Sequence, residues 1–274
     1  MSITIQKNKP ILDRITDLQR ITDLQHESIL DRITNQNDQI SLVDTVFKLT
    51  KQYQLDFRCL VGAIIGLEGL IGAGKTTFGR SLVKFLTKNN IKAKFFKEFV
   101  NPKLLKQYIS NMKKYSYTFQ IIMAIKRLEI YREAIEYAKT GGIAIIDRTL
   151  LGDATFSLMQ YENGNYTEDE WTTYNEIIRD GTDLAPSLIV YFKTTPNKAY
   201  NRMITRGYVS EKDGYTLDYF TTLNNKYNEV MERAKKTYNV LDLDWNDEKK
   251  ITNGILEKKD VIKTIYEIRK QILS

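Results

Sequence analysis

The sequence contains a single cysteine and a single histidine among its 274 residues, and it has no long hydrophobic run. With Cys59 alone, an internal disulfide and a cysteine-rich zinc site are excluded. With His26 alone, a histidine-dependent catalytic triad is excluded from the rest of the chain. The longest apolar run, residues 60–67, is far too short to span a membrane, and residues 1–4 lack the basic start of a secretory signal. These absences predict a cytoplasmic protein that does not cross a membrane.

The composition is that of a globular protein with a moderate excess of positive charge. Hydrophobic residues make up 42% of the chain and charged residues 27%, so a large core can be buried. The formal net charge of +7 suits an anionic ligand, although a merely soluble surface is an equally good interpretation. The basic residues form no clustered stripe, so nucleic-acid binding is not favoured.

Residues 1–57 are repetitive and contain no glycine. The hexapeptide at residues 14–19 returns at residues 20–25, and the one at residues 11–16 returns at residues 29–34. Their apolar spacing is roughly that of an amphipathic helix, without the sustained seven-residue pattern of a coiled coil. We predict a helical extension over residues 1–57, for self-association or as a low-complexity tail without a role, and a second domain over residues 58–274.

Beyond residue 60, short apolar runs alternate with longer helical stretches. Helices are predicted from Lys75 to Leu86, over most of the stretch from Pro102 to Lys139, and after Asp260. This alternation predicts an α/β fold, in which a five-stranded parallel sheet is flanked by helices and binds ligands beyond the C-terminal strand ends. The predicted strands are Val61–Leu67, Lys92–Lys97, Ile143–Ile146, Leu188–Phe192 and Asn239–Leu243.

A phosphate-binding loop is the strongest motif in the chain. Residues 69–76, GLIGAGKT, match the pattern G-x-x-x-x-G-K-[ST], and they lie between a predicted strand and a predicted helix. Backbone N–H groups would surround phosphate oxygens, Lys75 would add a charge, and Thr76 would bind Mg²⁺. Asp147, at the end of the third strand, is the second predicted Mg²⁺ ligand, and Arg148 could reach a phosphoryl oxygen. The predicted triphosphate-binding residues in this loop are Gly69, Gly72, Ala73, Gly74, Lys75, Thr76 and Thr77.

Further residues fit a small kinase that acts on a nucleotide-like acceptor. Glu98 ends the second strand and could orient an attacking hydroxyl and accept its proton. Gln120 and Arg127 are seven residues apart, on one face of a helix. The Gln120 amide suits a nucleobase edge, with aromatic surface from Phe119, and Arg127 is expected to form a fixed fork with Asp153.

Two arginines are expected to close over the transferred phosphate. Arg202 and Arg206 are four residues apart and precede a polar stretch that contains Glu211, a pattern that fits a mobile lid. The chain lacks the Asn-Lys-x-Asp base reader of GTPases and the Leu-Ser-Gly-Gly-type signature of transporter ATPases.

Taken together, these motifs resemble the deoxynucleoside kinase family, in the branch without structural zinc. The match runs from about residue 61 to the C-terminus. It departs from the family pattern at Phe99, where a proline is usual, and at Tyr208, in place of a third lid arginine. It is carried by Gly74-Lys75-Thr76-Thr77, Glu98 with Val100, Thr118-Phe119-Gln120, Asp147-Arg148-Thr149 with Asp153, Arg202 with Arg206-Gly207, and Val240–Asp244 with Asn246.

The resemblance implies a P-loop kinase fold, transfer of the γ-phosphate of ATP to the 5′-hydroxyl of a deoxynucleoside with Mg²⁺, and a homodimer. Glu98 then matches the general base and Gln120 the base reader, while Arg148 lies near the 5′-oxygen. Tyr108 and Glu211 fall near the sugar 3′-hydroxyl. Asp244 and Asn246 belong to the loop for the donor base. Asp153 favours a purine deoxynucleoside or deoxycytidine over thymidine.

Two other functions fit parts of the pattern. A thymidylate-kinase-like nucleoside monophosphate kinase would share the fold but would need an extra basic residue for the acceptor phosphate. A non-catalytic P-loop nucleotide-binding protein, whose N-terminal repeats bind a partner, would keep the loop but would not use Glu98.

Overall fold

The structure, a computed structural model, describes residues 60–179, 185–247, 249 and 251–273. The predicted N-terminal extension lies outside the described residues. The strands are β1 (Ile64–Gly69), β2 (Ala93–Phe96), β3 (Ile143–Asp147), β4 (Leu188–Lys193), β5 (Val240–Asp244), β6 (Ile251–Thr252) and β7 (Ile255–Leu256). The helices are α1 (Lys75–Lys88), α2 (Pro102–Ser110), α3 (Met112–Lys139), α4 (Leu150–Glu162), α5 (Glu168–Arg179), α6 (Pro196–Arg206), α7 (Val209–Gly214), α8 (Leu217–Ala234) and α9 (Lys258–Leu273).

The main sheet has five strands in the order β2-β3-β1-β4-β5, and every pairing in it is parallel. Strands β1 and β3 are buried along their whole length, as expected of a parallel sheet that is covered on both faces. The predicted α/β fold is confirmed. In addition, β6 and β7 form an antiparallel hairpin that the sequence pattern did not indicate.

Alternate residues of the strands pack into two hydrophobic cores. Ile64 and Ile146 join Tyr131 and Ala134 of α3 in the smaller core. Their strand neighbours, such as Ile65, belong to the larger core, which also contains residues of α1, α8 and α9. Because side chains alternate across a strand, helices cover both faces of the sheet. Among the described helices, none combines the length and the apolar character that a bilayer span requires.

The stretch from residue 102 to residue 139 is mostly helical, as predicted, and Asn111 divides it into two helices. Asn111 has φ −157° and ψ 86°, and its side chain accepts a hydrogen bond from the Lys114 backbone N–H at 3.0 Å, which caps α3. Asn101 caps α2 in the same manner, with Pro102 at the first helical position. The end of α3 at Lys139, before the glycine pair, agrees with the prediction. The first of the two helices, α2, packs against both α3 and α7.

Candidate active site

The phosphate-binding loop joins β1 to α1, and the Lys75 side chain forms hydrogen bonds to the backbone of the loop. The Lys75 ammonium donates hydrogen bonds to the backbone oxygens of Gly69, at 2.9 Å, and Leu70, at 2.7 Å. Gly72 has φ +76°, and a Cβ atom there would lie 2.3 Å from the backbone oxygen of Ala199 in α6. A side chain at this position would therefore push the loop away from α6.

Lys75 is buried, and the nearby acidic groups compensate its charge only in part. Burial, together with repulsion from Arg148, lowers the pKa of Lys75 to about 7, although Asp147 and Glu98 act in the opposite direction. An anionic group beside this ammonium would favour its protonated form. The electrostatics of the loop therefore suit a phosphate ligand.

The two predicted magnesium ligands lie next to each other. The Thr76 hydroxyl donates a hydrogen bond of 2.5 Å to the Asp147 carboxylate, at the end of β3. Burial raises the pKa of Asp147, which a nearby cation would reverse. Both groups supply the hard oxygen donors that Mg²⁺ prefers, and Mg²⁺ usually takes its other ligands from water and substrate phosphates. Within the described residues no cluster of three or more acidic, histidine or cysteine side chains could hold a metal by itself.

The Glu98 carboxylate lies in a cleft at the C-terminal edge of the sheet, between two arginines. Arg127 Nη2 lies 3.0 Å from Glu98 Oε1, and Arg148 Nε lies 3.2 Å from the same oxygen. The cleft is lined by Glu98, Phe99, Met123, Arg127, Ile130, Asp147 and Arg148. The predicted base, magnesium ligand and phosphoryl-contacting arginine thus face one cavity.

The two arginines keep Glu98 ionised. Burial would raise the pKa of Glu98, but Arg148, Arg127 and Lys75 together hold it below its ordinary value. A carboxylate with a lowered pKa is a weak base that is nevertheless always in its anionic form near neutral pH. Such a group orients a hydroxyl through a charge-assisted hydrogen bond and accepts its proton only late in phosphoryl transfer.

The expected pair between Arg127 and Asp153 is present, and it has a third member. Arg127 Nε lies 3.3 Å from Asp153 Oδ1. The Tyr174 hydroxyl donates a hydrogen bond of 2.8 Å to Asp153 Oδ2. Burial raises the pKa of Asp153, whereas Arg127 and Tyr174 favour its charged form. Tyr174 was missed from sequence, because no motif marks a residue of α5 that follows Asp153 by 21 positions.

Arg148 is held in an unusual backbone conformation. Its φ of 73° falls in the left-handed region, which costs a non-glycine residue roughly 1–2 kcal/mol. Its Nη1 donates to the Gly69 backbone oxygen at 3.0 Å and also to the Tyr227 hydroxyl. The Tyr227 hydroxyl donates in turn to Glu68 Oε2 at 3.3 Å. Neither Glu68 nor Tyr227 was found from the sequence, although an acid within the apolar strand β1 is a signal that a buried partner exists.

Most of the residues predicted for the acceptor nucleoside lie on α2 and α3, whereas Asp153 lies on α4 and Glu211 on α7. Gln120 is buried, and its amide makes no hydrogen bond to another described residue. It does not line the cleft itself, although Met123 and Arg127 of the same helix do. Phe119 stacks on Tyr108 with ring centroids 4.4 Å apart. The Tyr108 hydroxyl lies 3.1 Å from that of Tyr219 and accepts a hydrogen bond from Gln160, partners that the sequence did not indicate.

The two lid arginines point to different partners. Arg202 donates to the backbone oxygens of Trp245, at 3.3 Å, and Asp247, at 3.5 Å. Arg206 is ion-paired with Glu211 at 2.5 Å. These hydrogen bonds lead to residues outside the phosphate-binding loop, although α6 itself lies against Gly72. Glu211, predicted near the sugar, is thus engaged by a lid arginine, and α7 lies against α2, which carries Tyr108.

The predicted donor-base residues Asp244 and Asn246 bond to each other. Asp244 Oδ1 accepts hydrogen bonds from the backbone N–H and the side-chain amide of Asn246, at 3.0 and 2.8 Å. Asn246 Oδ1 accepts from the Thr195 backbone N–H at 2.8 Å, which ties this loop to the start of α6. Between them, Trp245 is buried, and a Cβ atom on Gly74 would lie 3.0 Å from its indole nitrogen. Trp245, not singled out from sequence, therefore packs directly against the phosphate-binding loop.

Comparison with known proteins gives one consistent family. A model of the deoxynucleoside kinase family matches residues 65–270. The deoxyadenosine kinase of Dictyostelium discoideum is 29% identical over 192 residues, which cover 69% of this chain and 75% of the relative. A probable deoxycytidine kinase of fowlpox virus is 26% identical over 210 residues, covering 74% of this chain and 86% of the relative.

The fold agrees with solved structures. A deoxyadenosine kinase of M. mycoides with bound dATP superposes with a TM-score of 0.61 at 23% identity, and the match covers 76% of this chain and 99% of that chain. The family model spans most of the chain and includes the loop, Glu98 and the Arg127–Asp153 pair. The chain therefore belongs to the deoxynucleoside kinase family and is a kinase.

Proposed function

We propose that this enzyme phosphorylates the 5′-hydroxyl of a deoxynucleoside with ATP and Mg²⁺, and that it prefers a purine deoxynucleoside or deoxycytidine to thymidine. The observation that carries the proposal is the position of Glu98. Its carboxylate is held by Arg127 and Arg148 in a cleft that also contains Asp147, which bonds to Thr76 of the phosphate-binding loop. An acceptor hydroxyl in that cleft would lie between a carboxylate and the phosphate donor.

In the proposed reaction, the 5′-oxygen forms a bond to the γ-phosphorus while the bond from that phosphorus to the β–γ bridging oxygen breaks. ADP leaves with the bond electrons, and the proton of the hydroxyl passes to the Glu98 carboxylate. Lys75 and the backbone N–H groups of the loop bind the donor phosphates, and Arg148 balances charge on the transferred group. Mg²⁺, held by Thr76 and Asp147, would supply further neutralisation of phosphate charge.

The base preference follows from the chemistry of Asp153. Its carboxylate accepts hydrogen bonds from Arg127 and Tyr174, which hold it in one orientation. An acceptor at that place suits a base with an exocyclic amino group, such as adenine or cytosine, whereas thymine offers an oxygen and a methyl group. The relatives named above, kinases of deoxyadenosine and deoxycytidine, support the same preference.

A phosphate-transfer assay tests this function. The full chain is incubated with γ-labelled ATP, Mg²⁺ and each of the four deoxynucleosides, with dTMP as a further acceptor. We expect labelled 5′-monophosphates from deoxyadenosine, deoxyguanosine or deoxycytidine, with less product from thymidine. Transfer to dTMP alone would identify a nucleoside monophosphate kinase, and ATP binding without transfer to any acceptor would identify a nucleotide-binding protein.

The magnesium site gives a second expected result. Thr76→Val removes the hydroxyl that bonds to Asp147, so the free Mg²⁺ concentration for half-maximal rate should rise about 10- to 100-fold. The initial rate is measured against free Mg²⁺ at fixed ATP. Thr87→Val is the control, because Thr87 is an exposed residue of the same helix that bonds only to backbone oxygens. An unchanged Mg²⁺ dependence in Thr76→Val would contradict the assignment.

The lowered pKa of Glu98 predicts a pH dependence. The charged groups that act on it are Arg148, Arg127 and Lys75, and they favour its carboxylate form. Activity should therefore persist as the pH falls and disappear only below the ordinary pKa of glutamic acid. Arg127→Gln removes one positive charge but keeps a hydrogen-bond donor, so the pKa of Glu98 should rise and the acidic limb of kcat/KM should move to higher pH.

The control for this pH profile is Arg132→Gln, in which an exposed arginine of the same helix loses its charge. Its acidic limb should match that of the unmodified enzyme. If the acidic limb of Arg127→Gln stays in place, or moves to lower pH, the electrostatic role of Arg127 is contradicted.

We also propose that the enzyme is a homodimer, as the family resemblance implies. Light scattering of the full chain in solution would test this oligomeric state.

A further inference from the structure

We propose that Glu68 and Tyr227 are positioning residues, which together hold the Arg148 guanidinium between the phosphate-binding loop and Glu98. This role rests on the proposed function, because Arg148 is proposed to act in phosphoryl transfer. Glu68 and Tyr227 are buried polar residues that take no direct part in that reaction. Neither residue lines the cleft.

Glu68 is the next-to-last residue of β1, directly before Gly69, and its side chain is fully buried. Its Oε1 atom accepts hydrogen bonds from the Thr149 backbone N–H at 2.5 Å, the Thr149 hydroxyl at 2.8 Å and the Gly152 backbone N–H at 3.1 Å. These donors belong to the first turn of α4, directly after Arg148. A buried carboxylate at a helix N-terminus is a strong anchor, so Glu68 fixes the start of α4 to the strand that carries the phosphate-binding loop.

Tyr227 of α8 connects this anchor to the side chain of Arg148. Its hydroxyl accepts a hydrogen bond from Arg148 Nη1 and donates one to Glu68 Oε2 at 3.3 Å. Arg148 Nη1 also donates to the Gly69 backbone oxygen, and Arg148 Nε donates to Glu98. The contacts form one chain, Glu68–Tyr227–Arg148–Glu98, which begins beside the donor site and ends at the proposed base.

The packing around this chain leaves little room for another arrangement. A Cβ atom on Gly152 would lie 2.4 Å from Glu68 Oε2, and one on Gly66 would lie 2.1 Å from Thr149 Cγ2. Larger residues at these glycines would displace the carboxylate or the turn. Both the backbone and the side chain of Arg148 are therefore fixed by contacts outside the cleft, as a preorganised active-site group requires.

Arginine is otherwise a poorly fixed side chain, because it has several freely rotating bonds. Of the groups that bind the Arg148 guanidinium, Gly69 and Glu98 belong to the reaction site, where substrates would alter their contacts. The partners that substrates would leave in place are Tyr227 and the Phe156 ring, whose centroid lies 5.0 Å from the guanidinium carbon, and of these two only Tyr227 forms a hydrogen bond. Loss of its hydroxyl should therefore affect the position of Arg148 during phosphoryl transfer more than it affects substrate binding.

Tyr227→Phe tests the inference, and Tyr191→Phe is its matched control. The two rings are buried and stacked, with centroids 6.1 Å apart at 15°. The Tyr191 hydroxyl donates to Asn228 at 2.9 Å, so each variant loses one hydroxyl from the same packed region. We expect Tyr227→Phe to lower kcat by about 10- to 100-fold, with KM for the deoxynucleoside and ATP changed less than about threefold, whereas Tyr191→Phe keeps its kcat.

A second variant tests whether the two residues act together. Glu68→Gln keeps the shape of the side chain but loses its charge, and the double variant Glu68→Gln/Tyr227→Phe should lose less kcat than the product of the two single losses. Equal kcat values for Tyr227→Phe and Tyr191→Phe, or a loss that appears only in KM, would overturn the inference. If Glu68→Gln does not fold, the tyrosine pair decides the question alone. An inactive unmodified enzyme would instead overturn the proposed function, from which the positioning role derives.

Discussion

Replacement of Glu98 by glutamine is expected to lower kcat by about 10²- to 10⁴-fold, the range typical of removing a general base. Glutamine has nearly the same shape and can still accept a hydrogen bond from Arg127 or Arg148, but it cannot take the proton of the acceptor hydroxyl. The charge that now orients this hydroxyl is also lost, while both arginines stay buried beside a neutral amide. Affinity for ATP should be nearly unchanged, because Glu98 does not belong to the phosphate-binding loop.

The measurement combines steady-state kcat for the best deoxynucleoside with ATP affinity by titration calorimetry. Glu129→Gln serves as the control, since Glu129 is a half-exposed glutamate of α3 that pairs only with Lys126. A Glu98→Gln variant that retains full turnover would show that the carboxylate has no part in catalysis. Loss of ATP binding together with turnover would instead indicate general damage to the site.

Lys75→Met is expected to abolish most of the ATP affinity and to lower the rate of phosphoryl transfer by about 10²- to 10³-fold, as for removal of one preorganised charge-stabilising donor. The Lys75 ammonium is the point charge of the loop, and its bonds to Gly69 and Leu70 hold it in place. Methionine fills a similar volume without charge. The melting temperature should change little, because the lost hydrogen bonds are offset by removal of a buried ammonium and its repulsion with Arg148.

ATP titration, single-turnover rates and thermal unfolding of the full chain check this result. Lys84→Met removes a lysine from the exposed side of the same helix and should leave all three measurements unchanged. If Lys75→Met bound ATP as tightly as the unmodified enzyme, the loop would not be the donor site. A large fall in melting temperature would show that Lys75 is needed for the fold itself.

The parts of the site that sequence predicted are local in the chain or belong to strand ends. The loop of residues 69–76 is contiguous, so its turn and its lysine follow from one short motif. Glu98 and Asp147 follow neighbouring strands of a parallel sheet, so their proximity follows from the expected topology. The Arg127–Asp153 pair could be predicted because an arginine on an apolar helix stretch needs a buried partner.

Several contacts could not be predicted from the sequence, because they depend on local capping interactions or on partners that are distant in the chain. The helix over residues 102–139 is divided because the Asn111 side chain caps the second part, an interaction that competes with continued helix. Arg206 is ion-paired with Glu211, a contact that the sequence did not indicate, and its closure over the transferred phosphate stays a prediction. Asp244 and Asn246 bond to each other, and Asn246 bonds to the start of α6, whereas their place at the donor base stays a prediction. None of these side-chain contacts produces a periodic pattern in the sequence from which it could be predicted.

By itself, the sequence determined the phosphate-binding loop, the alternation of strands and helices, and the kinase chemistry that these imply, because each depends on residues close together in the chain. Only the tertiary structure decided what surrounds Arg148. Its partner Tyr227 is 79 residues away, and Tyr227 is 159 residues from Glu68. Such contacts arise because the sheet order β2-β3-β1-β4-β5 gathers the C-terminal ends of strands that are distant in sequence, while α8 packs against α4 beside them. Backbone geometry around a short motif is a local property, whereas the partners of a buried charge depend on the whole packed arrangement.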